Sequence, residues 1–150
     1  MSDFTLTFEQ QAAFDTAENT NNNLLIHGKP GTGKSVLIRA LRETGSKNWV
    51  VAAPTGLAAL NIGGKTLHST FGIVPSDGVI EPDFDLFTKN DHVRNNVYYR
   101  INHLIIDEVS MVRADLLDYI DRELREIKGN DQLFGGIQVI IVGDFFQLPP

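Results

Sequence analysis

The stretch LLIHGKPGTGKSVLIRAL, residues 24–41, decides the fold of this chain. It begins with a short apolar run that is typical of a strand and ends with a helical pattern. Between the two, GKPGTGKS (residues 28–35, the P-loop) satisfies the pattern GxxxxGK[ST], for which a preceding strand and a following helix are the required context. A glycine-rich turn without a ligand is the alternative interpretation. The matched context favours a phosphate-binding loop in an α/β domain.

Each residue type in the P-loop has a chemical reason to be there. Glycines let the backbone turn its N–H groups inward, and the helix that begins near Lys34 adds its positive end to bound phosphates. Lys34 supplies a cation between the β- and γ-phosphates, and the Ser35 hydroxyl is a magnesium ligand. We therefore expect a nucleoside triphosphate with Mg²⁺, surrounded by Gly28, Pro30, Gly31, Thr32, Gly33, Lys34 and Ser35.

The remaining apolar runs predict the other strands. They are apolar throughout instead of alternating, which is typical of strands covered on both faces, and they lie at residues 49–53, 104–106 and 137–142. Helical patterns separate them, at residues 7–19, 34–43, 56–61 and 111–128. The pattern predicts an α/β fold in which a parallel sheet is sandwiched between helices. Residues 74–85, with two prolines and four acidic side chains, are predicted to form a loop.

Composition excludes several classes of protein. The 150 residues, 42% hydrophobic and 21% charged, fit one globular domain. With no cysteine there are no disulfides or thiolate metal sites, and with no apolar run of spanning length we expect no membrane partner and an intracellular location. The net charge of −6 argues against a protein that coats DNA with a basic face. A groove of hydroxyls, amides and aromatic rings can still hold a strand.

An acidic pair follows the strand predicted at residues 104–106. Asp107 and Glu108 lie where the carboxyl ends of parallel strands form a ligand crevice. Neighbouring residues of a strand point in opposite directions, so the two carboxylates can have different roles. Asp107 is predicted to hold the magnesium shell, and Glu108 to orient and deprotonate the attacking water. A solvated strand end is the alternative, which the upstream P-loop disfavours.

A glutamine follows the last predicted strand. Gln147 lies three residues after Asp144, and its amide both donates and accepts hydrogen bonds, as a sensor of the γ-phosphate or its water would. A polar turn closed by Pro149 and Pro150 is the other interpretation. The spacing alone does not choose between them.

Five segments, taken together, resemble the Pif-type DNA helicases in the RecD-related branch of helicase superfamily one. In chain order they are TFEQQAAFD, GKPGTGKS, APTGLAALNIGGKTLHSTFG, LIIDEVSM and VGDFFQLPP. The first and third discriminate, because a P-loop with an acidic pair occurs in many NTPases. The resemblance implies that residues 1–150 are the N-terminal RecA-like ATPase (helicase 1A) domain of a P-loop NTPase, with the P-loop strand beside the strand that ends at Gly143.

The resemblance also implies an activity. The intact protein would be an ATP-dependent helicase that moves 5′ to 3′ on single-stranded DNA and unwinds duplexes, as DNA repair and recombination require. A second RecA-like domain beyond residue 150 would supply arginines to the ATP site, so we expect the chain alone to be nearly inactive. A small strand-separating insertion would lie between the third and fourth segments.

Residue roles follow from the same resemblance. Gln10 would contact the adenine, Lys34, Ser35, Asp107 and Glu108 would take the roles given above, and Gln147 would contact the γ-phosphate. Single-stranded DNA would be contacted by Thr55, Gly56, His68 and Ser69.

Several of these residues have structural alternatives. Gln10 and Thr7 also fit a capping box, and Thr55 fits an N-cap. His68 is equally consistent with a packed or solvent-facing imidazole. Other P-loop proteins also remain open: an AAA-type remodeller, a nucleotide kinase, or a non-catalytic nucleotide-gated binding module. A kinase needs several lid arginines, which nothing here resembles, and the acidic pair disfavours a passive module.

Overall fold

The computed structural model describes residues 5–28, 33–75, 87–89 and 97–144. Its helices are α1 (Phe8–Asn19), α2 (Lys34–Thr44), α3 (Gly56–Ile62), α4 (Leu67–Phe71) and α5 (Ala114–Lys128). Its strands are β1 (Leu24–His27), β2 (Val50–Ala53), β3 (Lys65–Thr66), β4 (Ile73–Pro75), β5 (Phe87–Lys89), β6 (His103–Ile106) and β7 (Gln138–Gly143). Residues 97–100 are helical, and short 3₁₀ turns cover Val109–Met111 and Leu133–Gly136.

Five strands form one parallel sheet in the order β1-β7-β6-β2-β3. The strand before the P-loop lies beside the strand that ends at Gly143, with His27 opposite Gly143, which confirms the predicted neighbours. Because all five strands run the same way, their carboxyl ends meet at one edge of the sheet. Every predicted site segment from residue 28 onward begins at that edge.

Alternate residues of the central strands enter two separate cores, which confirms the predicted sandwich. Leu104 and Ile106 of β6 pack with α4 and α5, whereas Ile105 packs with α1, α2 and α3 on the opposite face. All three side chains are fully buried. Burial of apolar surface stabilises the fold by roughly 25 cal/mol per Å². Because the strands are short, we expect burial on both faces of the sheet to be the main term that stabilises it.

Two apolar side chains of the outer elements are exposed. Leu25 is 65% exposed, because β1 is an edge strand and is not covered on both faces as the central strands are. In α1, Phe8 is 90% exposed. The helix packs instead through Ala13, Phe14 and Ala17, one turn further along, because α2 crosses it there.

Two segment boundaries also differ from the predictions. The helix predicted from residue 111 begins at Ala114, because the 3₁₀ turn Val109–Met111 precedes it. On its surface Asp121 and Arg125 form an ion pair at 3.0 Å. Within the predicted loop at 74–85, Val74 and Pro75 belong to β4, which pairs antiparallel with β5 in a separate two-stranded sheet. Residues 76–86 lie outside the described residues.

The amino-terminal end of the large sheet is tied to the end of α1. Gln138, the first residue of β7, is 2% exposed, and its Nε2 lies 3.2, 3.0 and 3.0 Å from the carbonyl oxygens of Ala17, Thr20 and Asn22. Lys47 Nζ donates to the Ala17 and Thr20 carbonyls and to Gln138 Oε1, at 2.8, 2.6 and 2.8 Å. Together they supply donors to the carbonyls that end α1. No helix among the described residues is long and apolar enough to cross a bilayer.

Candidate nucleotide and nucleic-acid site

The two ends of the P-loop are fixed by the sheet and by α2. The Gly28 N–H donates to the Gly143 carbonyl at 3.2 Å, which extends the β1–β7 ladder by one residue. At the other end Lys34 begins α2, and its Nζ reaches back to the Gly28 carbonyl at 2.7 Å. The predicted phosphate contacts Pro30, Gly31 and Thr32 lie outside the described residues. The lysine side chain thus joins the two flanks of the loop.

Gln10 forms the capping box that the sequence allowed, and it also contacts the P-loop. Its N–H donates to Thr7 Oγ1 at 3.2 Å and its Oε1 accepts from the Thr7 N–H at 2.9 Å, so the capping box is present. Its Nε2 donates to the Gly33 carbonyl at 3.0 Å. A Cβ on Gly33 would overlap with that amide, and Gly33 has a φ of 83°, so only glycine fits there. The cap therefore holds Gln10 against the P-loop.

Asp107 lies just beyond β6, within electrostatic reach of the P-loop lysine. Its N–H donates to the Ala52 carbonyl at 2.9 Å, which fixes the backbone to the end of β2. Burial raises the pKa of its carboxyl above the ordinary value of 3.8, opposed by the Glu108 N–H and by the positive charge of Lys34. Asp107 is therefore a half-buried acid facing a cation, not a solvated strand end.

Glu108 is held in a backbone conformation that its residue type disfavours. Its φ of 51° and ψ of 45° are left-handed, and it opens the turn Val109–Met111. Such strain costs about 1–2 kcal/mol in a residue with a Cβ, and it clusters at functional sites. The turn packs on the end of β7, where a Cβ on Gly143 would lie 3.0 Å from Val109 Cγ1. Glu108 thereby leaves the strand conformation at once, so strand alternation does not set the direction of its side chain.

The sequence reasoning did not identify a pair beside the P-loop. His27 Nε2 lies 3.9 Å from Oδ1 of Asp144, whose residue is 6% exposed. The sequence held a signal for this pair, because His27 ends β1 and Asp144 follows β7, which are neighbouring parallel strands. The predicted sensor Gln147 lies outside the described residues.

The predicted DNA contacts lie at the same edge, on the far side of Asp107 from the P-loop. Thr55 Oγ1 accepts from the Ala58 N–H at 3.2 Å, which confirms the N-cap. Gly56 after it is exposed, and a Cβ there would meet nothing within 4 Å. After the neighbouring strand β3, in α4, His68 is half-buried and Ser69 is exposed. These four residues therefore follow the two strands that lie beyond β6.

The side chains at this edge suit magnesium better than a tightly enclosed metal. Within the described part of the chain no cluster of three or more His, Cys, Asp or Glu could hold a metal ion. Magnesium in nucleotide sites keeps several waters and takes one or two carboxylates plus phosphate oxygens. One half-buried carboxylate at Asp107 and one hydroxyl at Ser35 fit that demand.

A parallel sheet with a P-loop after its edge strand and an acid after its middle strand defines a RecA-like P-loop fold. The sequence profile of the PIF1-like helicases matches residues 5–150, and the chain belongs to that family. Among curated relatives, the ATP-dependent DNA helicase PIF1 of Saccharomyces cerevisiae is 44% identical over 153 residues, covering 97% of this chain and 17% of that protein. The human PIF1 is 40% identical, covering 95% and 22%.

Solved structures agree on the fold. The Pif1 helicase from Bacteroides in complex with ADP-AlF3 and single-stranded DNA is 47% identical, with a TM-score of 0.83, covering 99% of this chain and 34% of that one. The Pif1 helicase from Candida albicans is 35% identical with a TM-score of 0.78, covering 99% and 34%. The chain thus spans about a fifth of the curated relatives and about a third of the solved chains.

Proposed function

We propose that this chain is the N-terminal RecA-like motor domain of an ATP-dependent DNA helicase, which moves 5′ to 3′ on single-stranded DNA as part of an intact protein. The observation that carries the proposal is the convergence of Gln10, Lys34 and Asp107 on the carboxyl edge of one parallel sheet. The relatives named above are ATP-dependent DNA helicases, and one solved relative is complexed with ADP-AlF3 and single-stranded DNA.

Nucleotide binding would use the two ends of the P-loop. Lys34 Nζ is held by the Gly28 carbonyl at 2.7 Å, and this neutral acceptor is weaker than a phosphate oxygen. The lysine would exchange the carbonyl for the β- and γ-phosphates when ATP enters, with Pro30, Gly31, Thr32 and Gly33 supplying backbone N–H groups. Gln10, fixed by its capping box, would contact the adenine beside Gly33.

Metal and water would be handled by the acidic pair. Asp107 and Ser35 would hold Mg²⁺, and a divalent cation would offset the burial that now raises the pKa of Asp107. The bound metal supplies charge stabilisation to the transferring phosphoryl group. Glu108 would orient and deprotonate the attacking water, and its strained left-handed backbone is of the kind that clusters at functional sites. Gln147 would sense the γ-phosphate.

DNA would lie across the ends of β2 and β3. Thr55 and Ser69 offer hydroxyls, Gly56 offers backbone with open space around its Cα, and His68 offers a partly exposed ring. Contacts of this kind bind a strand without a basic surface, which reconciles DNA binding with a net charge of −6. A second RecA-like domain of the intact protein would complete both the ATP site and the DNA groove.

The decisive experiment is ATP turnover by the intact protein with and without single-stranded DNA. Wild type should be stimulated by DNA. Lys34→Ala should abolish turnover, whereas Lys128→Ala, a lysine at the far end of α5, should leave it unchanged. Turnover that ignores DNA would favour another P-loop enzyme such as a remodeller or kinase, and unchanged turnover in Lys34→Ala would contradict the assignment.

A second variant tests catalysis against passive nucleotide binding. Glu108→Gln should lower kcat by roughly 10²–10⁴-fold, because the general base is lost, while nucleotide affinity stays close to wild type. Equal turnover in Glu108→Gln and wild type would favour a non-catalytic binding module.

A further inference from the structure

A cavity of about 1050 Å³ opens beside the edge strand of the large sheet, away from the P-loop. It exists because β3 is only two residues long and pairs with Ala52 and Ala53, so that Val50 and Val51 at the start of β2 have no strand neighbour on that side. Val50, Val51 and Trp49 line the cavity, as do the residues that lead into β6. We call this cavity the β3 notch.

The lining of the β3 notch is basic, whereas the protein as a whole is acidic. The chain has 13 basic and 19 acidic residues, yet the notch is lined by four cationic side chains and no carboxylate among the described residues: Arg42, Lys47, Lys65 and Arg100. His103, also in the lining, adds no charge at neutral pH, since burial and then Lys47 hold its pKa below the ordinary value of 6.5. A concave surface of one sign concentrates field and attracts ions of the other sign.

Two of the four cationic side chains donate hydrogen bonds to backbone carbonyls of the fold, and the other two do not do so within the described residues. Arg42 Nη1 donates to the carbonyls of Ile62 and Gly63 at 2.8 and 3.0 Å, and Lys47 holds the end of α1. The side chains of Lys65 and Arg100 are exposed and have no hydrogen bond or ion pair with any described residue. Within the described part of the chain, a ligand could therefore bind their charges without displacing a structural contact.

The β3 notch is continuous with the edge assigned above to DNA. Ser69, one of the proposed DNA contacts, lines the notch, and Lys65 lies four residues before it on the strand that leads into α4. A polyanion that leaves Ser69 in this direction meets Lys65 first and the rest of the basic lining next. An extended phosphodiester chain fits that path, whereas a single small anion would need only one end of it.

We propose that the β3 notch is a second DNA contact, in which Lys65 and Arg100 hold the phosphodiester backbone as it leaves the strand ends. The inference rests on the proposed function, because it assumes that DNA crosses the neighbouring edge. The phosphates can belong to a single strand or to the duplex that adjoins it, and separate single-stranded and duplex oligonucleotides distinguish these sources.

The test is the salt dependence of DNA affinity, measured by fluorescence anisotropy of the nucleotide-free protein over roughly 50 to 200 mM salt. Each lost phosphate contact lowers the slope of log K against log salt by about 0.7–0.9. The double variant Lys65→Gln/Arg100→Gln should therefore lose about 1.5 from the slope on the oligonucleotide that occupies the notch. Arg39→Gln/Arg122→Gln removes the same charge from the exposed faces of α2 and α5 and should keep the wild-type slope.

A charge-conserving variant and tryptophan fluorescence serve as two further tests. Lys65→Arg/Arg100→Lys should retain the wild-type slope, because the charges remain. Trp49 is the only tryptophan of the chain and lines the notch, so DNA should change its emission in wild type and not in the glutamine variant. Equal slopes on both oligonucleotides for the glutamine variant and wild type would overturn the notch proposal alone. A wild type that binds no DNA would instead overturn the proposed function.

Discussion

The two ends of the large sheet are built in opposite ways. At the amino-terminal end, buried polar atoms are matched: Gln138 and Lys47 supply donors to the carbonyls that end α1. At the carboxyl end, conformations that cost free energy persist, with Glu108 in the left-handed region and Asp107 carrying a carboxyl whose pKa is raised by burial. The difference indicates that stability is concentrated away from the proposed nucleotide site, which leaves the carboxyl end free to be strained.

The largest effect should come from breaking the matched end. Gln138→Leu would remove three hydrogen bonds, to the carbonyls of Ala17, Thr20 and Asn22, and would take the Oε1 acceptor from Lys47. At about 1 kcal/mol for each bond to a carbonyl, we expect a loss of about 3 kcal/mol. Urea unfolding measures this. Gln11→Leu, on the exposed face of α1, should change stability by less than about 0.5 kcal/mol. Similar midpoints for the two variants would mean that the Gln138 contacts do not stabilise the fold.

A smaller effect of opposite sign is expected at the strained end. Glu108→Gly should raise the free energy of unfolding by about 1 kcal/mol, because glycine adopts a φ of 51° without the clash of a Cβ. The same change should remove DNA-stimulated turnover in the intact protein. Glu126→Gly, near the end of α5, is the matched control and should destabilise by about 0.5–1 kcal/mol. Destabilisation by both variants would remove the evidence for strain at Glu108.

What could be predicted from sequence differs between the two ends for a physical reason. The P-loop, the capping box at Thr7 and Gln10, and the N-cap at Thr55 are set by residues within a few positions of one another, so their spacing is informative. Continuous apolar runs likewise predicted the parallel sandwich, and the family resemblance gave the neighbour of β1.

Features that depend on distant residues were not predictable. Gln138 finds its acceptors 116 to 121 residues away along the chain, so no local pattern marks it. The exposure of Leu25 follows from the edge position of β1, which the order of strands decides and the apolar run does not. The left-handed backbone at Glu108 comes from the packing of the next turn on β7, not from a preference of glutamate.

Thr55 allows a structural role and a proposed DNA role to be separated at the strained end. Thr55→Ala should cost about 1 kcal/mol, because the Ala58 N–H loses its cap. Thr55→Asp keeps a good N-cap but places a negative charge at the DNA edge, so stability should hold while DNA affinity falls. Thr7→Asp, at the N-cap of α1, should keep both. Unchanged DNA affinity in Thr55→Asp would exclude a strand passing over this cap.

The smallest effects compare the two ends of a single strand, since His103 begins β6 and Asp107 follows it. The pKa of Asp107 is raised above 3.8, so the stability that its protonated form provides is complete below pH 3.8 and is lost as the pH rises through that value to the folded pKa. The pKa of His103 is lowered below 6.5, so stability is lost as the pH falls through 6.5 towards the folded pKa. For both residues the neutral side chain favours the folded state. Asp107 is neutral in acid, whereas His103 is neutral above pH 6.5.

Unfolding measured across pH, with metal chelated, separates the two contributions. Asp107→Asn should gain stability over wild type at neutral pH and lose that gain in acid, and Mg²⁺ with nucleotide should cancel the gain by stabilising the wild-type carboxylate. His103→Gln loses the ring contact with Trp49 at every pH, so it should be less stable than wild type by a constant amount above about pH 6.5. Below about pH 6.5 the wild type loses stability as His103 becomes protonated, so the stability difference should shrink. Parallel pH profiles for wild type and Asp107→Asn would mean that the Asp107 carboxyl is solvated. Burial would then not destabilise its carboxylate, and a cation at the carboxyl edge would have no such cost to offset.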